Sequence, residues 1–117
     1  MTASEALRDF IAPLAPGWAV QSGKWRDSGP ASRAIIIKPI GGVSASLIRE
    51  PQLSLMVVGG SLDAPSVCDA MCEMIGSAIR ASCPAGFAGC SIGEPSYSST
   101  AEDRPVFEMA VSVIMSY

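Results

Sequence analysis

The sequence predicts an α+β domain, two helices packed on one face of a mostly antiparallel β-sheet, and three observations carry that prediction. Val67, Met71, Met74, Ile75, Ala78 and Ile79 fall at i, i+4, i+7, i+8, i+11 and i+12, the apolar stripe of a helix. Phe107, Met109, Val111, Val113 and Met115 alternate with Glu108, Ala110, Ser112 and Ile114, the pattern of a long strand with one buried face. The segments between them give the order α-β-β-β-β-α-β-β, in which successive strands form hairpins rather than helical crossovers. No repeat or linker divides the 117 residues, so a single domain spans 1–117.

The elements follow in order. Ser4 to Leu14 reads as a short amphipathic helix with Ser4 as N-cap, Glu5 in the first turn, and Leu7, Phe10, Ile11 and Leu14 on one face. Pro16-Gly17 stops it, and a short strand from Trp18 to Trp25 turns Trp18, Val20 and Ser22 to one side. A polar loop, Arg26 to Ser32, leads to the β-branched run Ile35-Ile36-Ile37 within a strand from Arg33 to Ile40. Pro39 and Gly41-Gly42 are expected to turn the chain there. Val43, Ala45 and Leu47 then alternate as a further strand, and after a turn or bulge at Glu50-Pro51 the pattern resumes as Leu53, Leu55 and Val57. Asp63 is the expected cap of the long helix and Pro65 stands in its first turn. That helix ends before Pro84. A strand from Cys90 to Pro95 and a polar, Ser-rich connection from Ser96 to Asp103 precede the last strand.

Composition narrows the function. The chain is 49% hydrophobic and only 16% charged, with 11 acids, 8 bases and no histidine, and its mean hydropathy is +0.35. Globular domains carry about 25% charge, so apolar surface is left over and an oligomer is expected. Without histidine there is no Ser-His-Asp or Cys-His catalysis and no histidine metal site. A net charge of -3 with scattered bases argues against a dominant DNA-phosphate or anionic-membrane role, and no sequence-specific nucleic-acid partner is expected. The opening residues lack the basic-then-apolar run of a signal peptide, and no stretch of 18 apolar residues occurs. A soluble, intracellular chain is therefore the expectation.

Four cysteines are the first place to look for chemistry. Cys68 and Cys72 are four apart on the long helix, Cys83 ends it, and Cys90 opens the next strand; this is not the paired-knuckle spacing of a zinc site. Buried free thiols are expected, ahead of a Cys83–Cys90 disulfide or a metal. The acid pairs Asp69/Glu73 and Glu102/Asp103 read as solvated surface, because neither supplies the oxygens of a calcium loop. Gly41-Gly42 and Gly59-Gly60 lack the following Gly-Lys-Ser/Thr of a phosphate loop. Arg33, Arg49 and Arg104 stand at element ends close to Glu50, Glu102 and Asp103, where arginines can form bidentate carboxylate pairs with another subunit.

Two stretches carry a resemblance: Ile48-Arg49-Glu50-Pro51-Gln52-Leu53-Ser54-Leu55-Met56-Val57-Val58-Gly59 with the Cys/Met-bearing helix after it, and Asp103-Arg104-Pro105-Val106-Phe107-Glu108-Met109-Ala110-Val111. Over residues 33–117 the chain resembles the small tail-terminator, or tail-completion, proteins of long-tailed bacteriophages. The resemblance implies an α+β subunit that assembles as a ring, commonly six-fold, on the last ring of tail-tube protein. There it stops tube polymerisation and presents the surface that docks a head-completion or connector protein. It implies a place in the virion tail, at the head–tail interface, after assembly in the host cytoplasm. Edge strands and loops would pair between subunits or with the tube, and Arg49 and Arg104 are the ring or tube contacts by motif position. The first 32 residues match no part of the pattern, and the four cysteines are not a family feature.

The reading is therefore an assembly protein without catalytic residues, cofactor, metal or membrane contact. Its expected subunit or tube interface is Arg33, Arg49, Glu50, Arg104, Met56, Val58 and Ile114. Ile36, Met56, Val58 and Ile114 lie on strand faces turned away from the helices, where no cover is expected within the subunit. The alternative is a small cytosolic ligand-binding or thiol-redox α+β domain, with Cys68, three residues after Pro65, as the thiol closest to a helix start.

Overall fold

The computed structural model describes residues 3–23, 29, 32–44, 49–84, 87–99 and 104–115, with the side chains of 42–44, 49, 98 and 99 outside the description. Helix α1 spans Ala3–Ile11 and tightens into a 3-10 turn over Ala12–Leu14. Strands β1 (Ala19–Ser22), β2 (Ala34–Ser44) and β3 (Arg49–Val58) follow. Helix α2 occupies Pro65–Ala81, and β4 (Phe87–Ile92), β5 (Ser96–Ser99) and β6 (Pro105–Met115) complete the chain.

These strands form one sheet in the order β1-β2-β3-β6-β4, with β5 also on β6. Among the described residues only β1 and β2 pair parallel, and the other pairs are antiparallel. Both helices cover the same face. Leu7 and Ile11 of α1 and Cys68, Met71, Cys72, Ile75 and Ile79 of α2 pack on Ile35, Ile37, Leu53, Leu55, Val57, Met109, Val111 and Val113 in one buried cluster. The apolar stripe of α2 and the alternation of β6 thus face each other, as their periods require.

Several boundaries differ from the sequence reading, each for a long-range reason. Pro39 and Gly41-Gly42 do not turn the chain. They lie inside β2, where the register to β3 slips between Pro39 and Gly42 and leaves an extra residue on β2. Gly41, at φ +105, supplies the left-handed geometry this bulge needs. Two expected strands are therefore one, and Ala45 and Leu47 lie outside the described residues, as does Trp25. The β4 strand begins at Phe87, three residues before the expected start at Cys90. Ser96 to Ser99 is not a bare connection but a strand held by β6 backbone, Tyr97 opposite Phe107 with their rings 5.1 Å apart. Ser4 is not a cap: it is buried in the first turn of α1 and its Oγ accepts a hydrogen bond from Ser22 Oγ at 2.9 Å.

The face away from the helices also has a core. Ala34, Ile36, Val58 and Val106 form a second buried cluster, with Met56 packed against it. They are cross-strand neighbours, Ala34 beside Val58 beside Val106 and Ile36 beside Met56. The expectation that Ile36, Met56 and Val58 lack cover within the subunit is thus corrected: Ile36 and Val58 are fully buried and Met56 half-buried. Parallel pairing demands a return crossover between β1 and β2, and the described end of that crossover, Ser32, is held by Arg104, in phase with Val106 along the strand.

Candidate functional site

Two surfaces at opposite ends of the sheet concentrate what the fold leaves for function. The first is the corner where β1 and β2 begin, β3 ends and the chain enters α2. Arg33 donates from Nε to Asp63 Oδ2 at 2.9 Å and from Nη2 to Oδ1 at 2.8 Å, the two-pronged geometry that guanidinium and carboxylate share. Its charge lies 5.6 Å from the centre of the Trp18 ring. Asp63 also accepts Gly60 N–H at 2.8 Å. The Arg33 hydrogen bonds and that amide hold its carboxyl down at about 2, and the same carboxylate raises Arg33.

Asp63 was expected to cap α2, but the N-cap is Ala64, which makes no side-chain capping bond. The carboxylate instead braces the Gly60-to-Asp63 turn, closed by Asp63 N–H donating to Gly60 O at 3.0 Å. At the tip of this braced turn stands Leu62, 93% exposed. A shallow cleft of about 550 Å³ runs between it and Gly17, Ala19, Ser32 and Arg33.

Arg104 underlies the same corner from the other face. It is fully buried, its Nε donating to Gly59 O at 2.9 Å and its Nη2 to Ser32 O at 2.7 Å. The expected exposed contact is therefore a brace inside the subunit. Through two nitrogens of its planar guanidinium, Arg104 joins the residue that follows β3 to the segment that leads into β2.

The second surface is a fork. β3 and β6 pair from Val58↔Val106 down to Gln52↔Ser112 and no further. The next residue, Pro51, has no N–H for Val113, so the ladder ends there. β3 continues paired to β2 and β6 continues paired to β4, so the two strand pairs part. Between them lies a cleft of about 380 Å³ walled by Glu50, Gln52, Cys90, Ser112, Val113 and Ile114. Ile114 is 47% exposed on its rim and Glu50 is half-buried.

Of the sequence-expected interface residues, Glu50 and Ile114 meet in the fork and Arg33 stands at the opposite corner. Arg104 and Val58 are interior. Arg49 opens β3 with its side chain outside the described residues, as are Glu102 and Asp103. Sequence reasoning missed Leu62 and Trp18. The available signal for Leu62 was a lone large apolar residue in a Gly-Gly-Ser-Leu-Asp turn.

One sheet edge is guarded. Arg33 O and Ile37 O accept from Ala19 and Gly23 N–H at 2.9 and 2.8 Å, so odd-numbered β2 residues turn their backbone to the outer edge. β1 stops at the level of Ile37. The next outward-facing residue is Pro39, which has no hydrogen to donate, a device that discourages strand addition.

Cys68 and Cys72 are packing residues of the helix-side core. Burial pushes Cys68 up to about 11, with the Asp63 carboxylate adding to it; burial also pushes Cys72 to about 12 and Cys90 to about 11. All four are free, but Cys83 is exposed and Cys90 only half-buried, so the expectation of four buried thiols holds for Cys68 and Cys72. Asp69 and Glu73 are exposed on α2 and share a narrow cleft of about 160 Å³ with Arg80 and Glu94. Among the described residues no group of three Cys, Asp or Glu is placed to hold a metal ion, and no helix is long and apolar enough to cross a membrane.

The chain is thus an α+β subunit whose sheet is packed on both faces and carries two contrasting end surfaces. The family model described as "Phage tail termination protein" matches residues 1–117, the entire chain, and the chain belongs to that family. The match includes the first 32 residues, which the motif resemblance did not reach. No curated protein matches the sequence significantly.

Proposed function

We propose that this tail termination protein acts as a ring-shaped cap on the last ring of tail-tube protein, stops its polymerisation, and offers its outer side to the head-completion or connector protein. The observation that carries this reading is the pair of dissimilar exposed surfaces at the two ends of one sheet, the Leu62 corner and the Ile114 fork. Dissimilar surfaces associate head to tail, and such contacts close into rings when the rotation between copies permits. A catalytic reading has less support: burial raises Cys68, Cys72 and Cys90, and the family is structural. The low charge of the chain suits a subunit whose surface is covered after assembly. In this reading the chain works at the head–tail junction of the virion after assembling in the host cytoplasm.

Polymerising tail-tube protein with and without the purified chain, and measuring tube lengths by electron microscopy, tests the proposal. Short tubes with added density at one end are expected. Tubes that grow to the same length, or that carry the chain along their walls, overturn it.

A further inference from the structure

We infer that the Leu62 turn of one copy seats in the β3/β6 fork of the next copy, with Arg33 of the first facing Glu50 of the second. This contact rests on the ring reading above and assigns its surfaces.

Four observations on the two ends fit together. Leu62 is a protruding apolar side chain held on a turn that Asp63 ties to Gly60 and to Arg33, so little order has to be gained on docking. The fork is a concave site rimmed by the exposed Ile114, and Pro51, next after the last pair Gln52↔Ser112, has no hydrogen to offer across it. Charge adds to the fit: Arg33, paired to Asp63 through Nε and Nη2, is exposed beside Leu62 with no hydrogen bond from its Nη1 among the described residues, and Glu50 lines the fork. The two sites are separated along β3 by more than the Gln52–Val58 ladder, about 20 Å of strand, so one copy cannot satisfy itself. Pro39 disfavours the competing route, addition of a strand at the outer edge of β2.

Ser112, exposed in the fork wall, provides a direct test. In a Cys83→Ser background, Leu62→Cys is combined with Ser112→Cys, oxidised mildly, alone and after addition of tail-tube protein, and run on a non-reducing gel. A ladder of covalent oligomers that disappears when position 112 is left as serine is expected. A species that survives with Leu62→Cys alone means that Leu62 meets its own equivalent across a two-fold axis, which overturns the inference. So does the absence of a ladder, whether native mass spectrometry of the same sample shows oligomer or only monomer.

A charge exchange adds a second measurement. Arg33→Glu and Glu50→Arg each weaken self-association at least tenfold, and the double variant recovers most of it. If Arg33 serves only to brace Asp63, the double variant recovers nothing. The cap reading and this contact fail separately: wild-type chain that leaves tube length unchanged while the cross-link forms removes the cap and keeps the contact. Shortened tubes without the cross-link do the reverse.

Discussion

Replacing Arg104 by methionine keeps most of the side-chain volume but removes the guanidinium donors from a fully buried site. Gly59 O and Ser32 O then lose the bonds that Arg104 gives them. A hydrogen bond from a charged group contributes about 1.5–3 kcal/mol, and an orphaned buried carbonyl adds its own desolvation cost. Arg104→Met is expected to lower unfolding free energy by about 3 kcal/mol or more, read by chemical denaturation. Arg33→Met, at an exposed position, is expected to change the same midpoint far less. The thiols give a second residue-level prediction. The folded values of about 11 for Cys68 and about 12 for Cys72 lie above the ordinary 9.0 of the unfolded chain. Their contribution is therefore complete below pH 9 and is lost as pH rises toward 11 to 12, because the unfolded chain ionises first. Denaturation midpoints should fall from about pH 9 upward, and less steeply in Cys72→Ala. At neutral pH a thiol reagent should label Cys83 in the folded chain and reach Cys68 and Cys72 only on unfolding.

At the scale of elements, two glycines separate a packing requirement from a helix-propensity cost. A β-carbon on Gly59 would sit 2.8 Å from Pro105 Cγ and 2.9 Å from Cys68 Sγ, both fixed in the core where β3, β6 and α2 meet. Gly59→Ala is expected to destabilise by about 1–3 kcal/mol. On α2 a β-carbon at Gly76 would meet only the far end of Arg80, at 3.2 Å, and that flexible side chain can move. Gly76→Ala should stabilise by about 0.5–1 kcal/mol, since glycine is a poor residue for a helix interior; thermal melts of both variants check the opposite signs. The same elements show what was legible in the sequence. α2 and β6 were readable because one periodic face of each meets a core, and local pattern is enough for that. Pro39-Ile40-Gly41-Gly42 carries every local mark of a turn, yet β3 pairs on both sides of it and converts it into a bulge. Ser96–Ser99 has no apolar pattern because β6 backbone holds it. Arg104 read as surface from its residue type, although its even phase with Val106 pointed to the buried second face. Glu50 and Ile114 were named as contacts, but the fork that brings them together is a consequence of pairing register, visible only once Pro51 is known to oppose Val113.

For the whole molecule, the fork makes a single proline responsible for the shape of one end. In the register that runs from Val58↔Val106 to Gln52↔Ser112, the next pair would be Pro51 with Val113. Even-numbered β6 residues turn their backbone to β4, as Ala110 O shows by accepting Gly93 N–H at 2.9 Å, so Val113 faces β3. Pro51→Thr supplies the missing N–H on the side of β3 that faces β6 and extends the ladder by one pair. Stability should rise by about 0.5–1.5 kcal/mol, the net value of one added hydrogen bond, and the amide of residue 51 should become protected from hydrogen exchange. Closing the fork removes the seat proposed for Leu62, so tubes grown with Pro51→Thr should be longer than those grown with the wild-type chain. A variant that is more stable, protected at residue 51 and still fully active in limiting tube length would show that the open fork has no part in assembly.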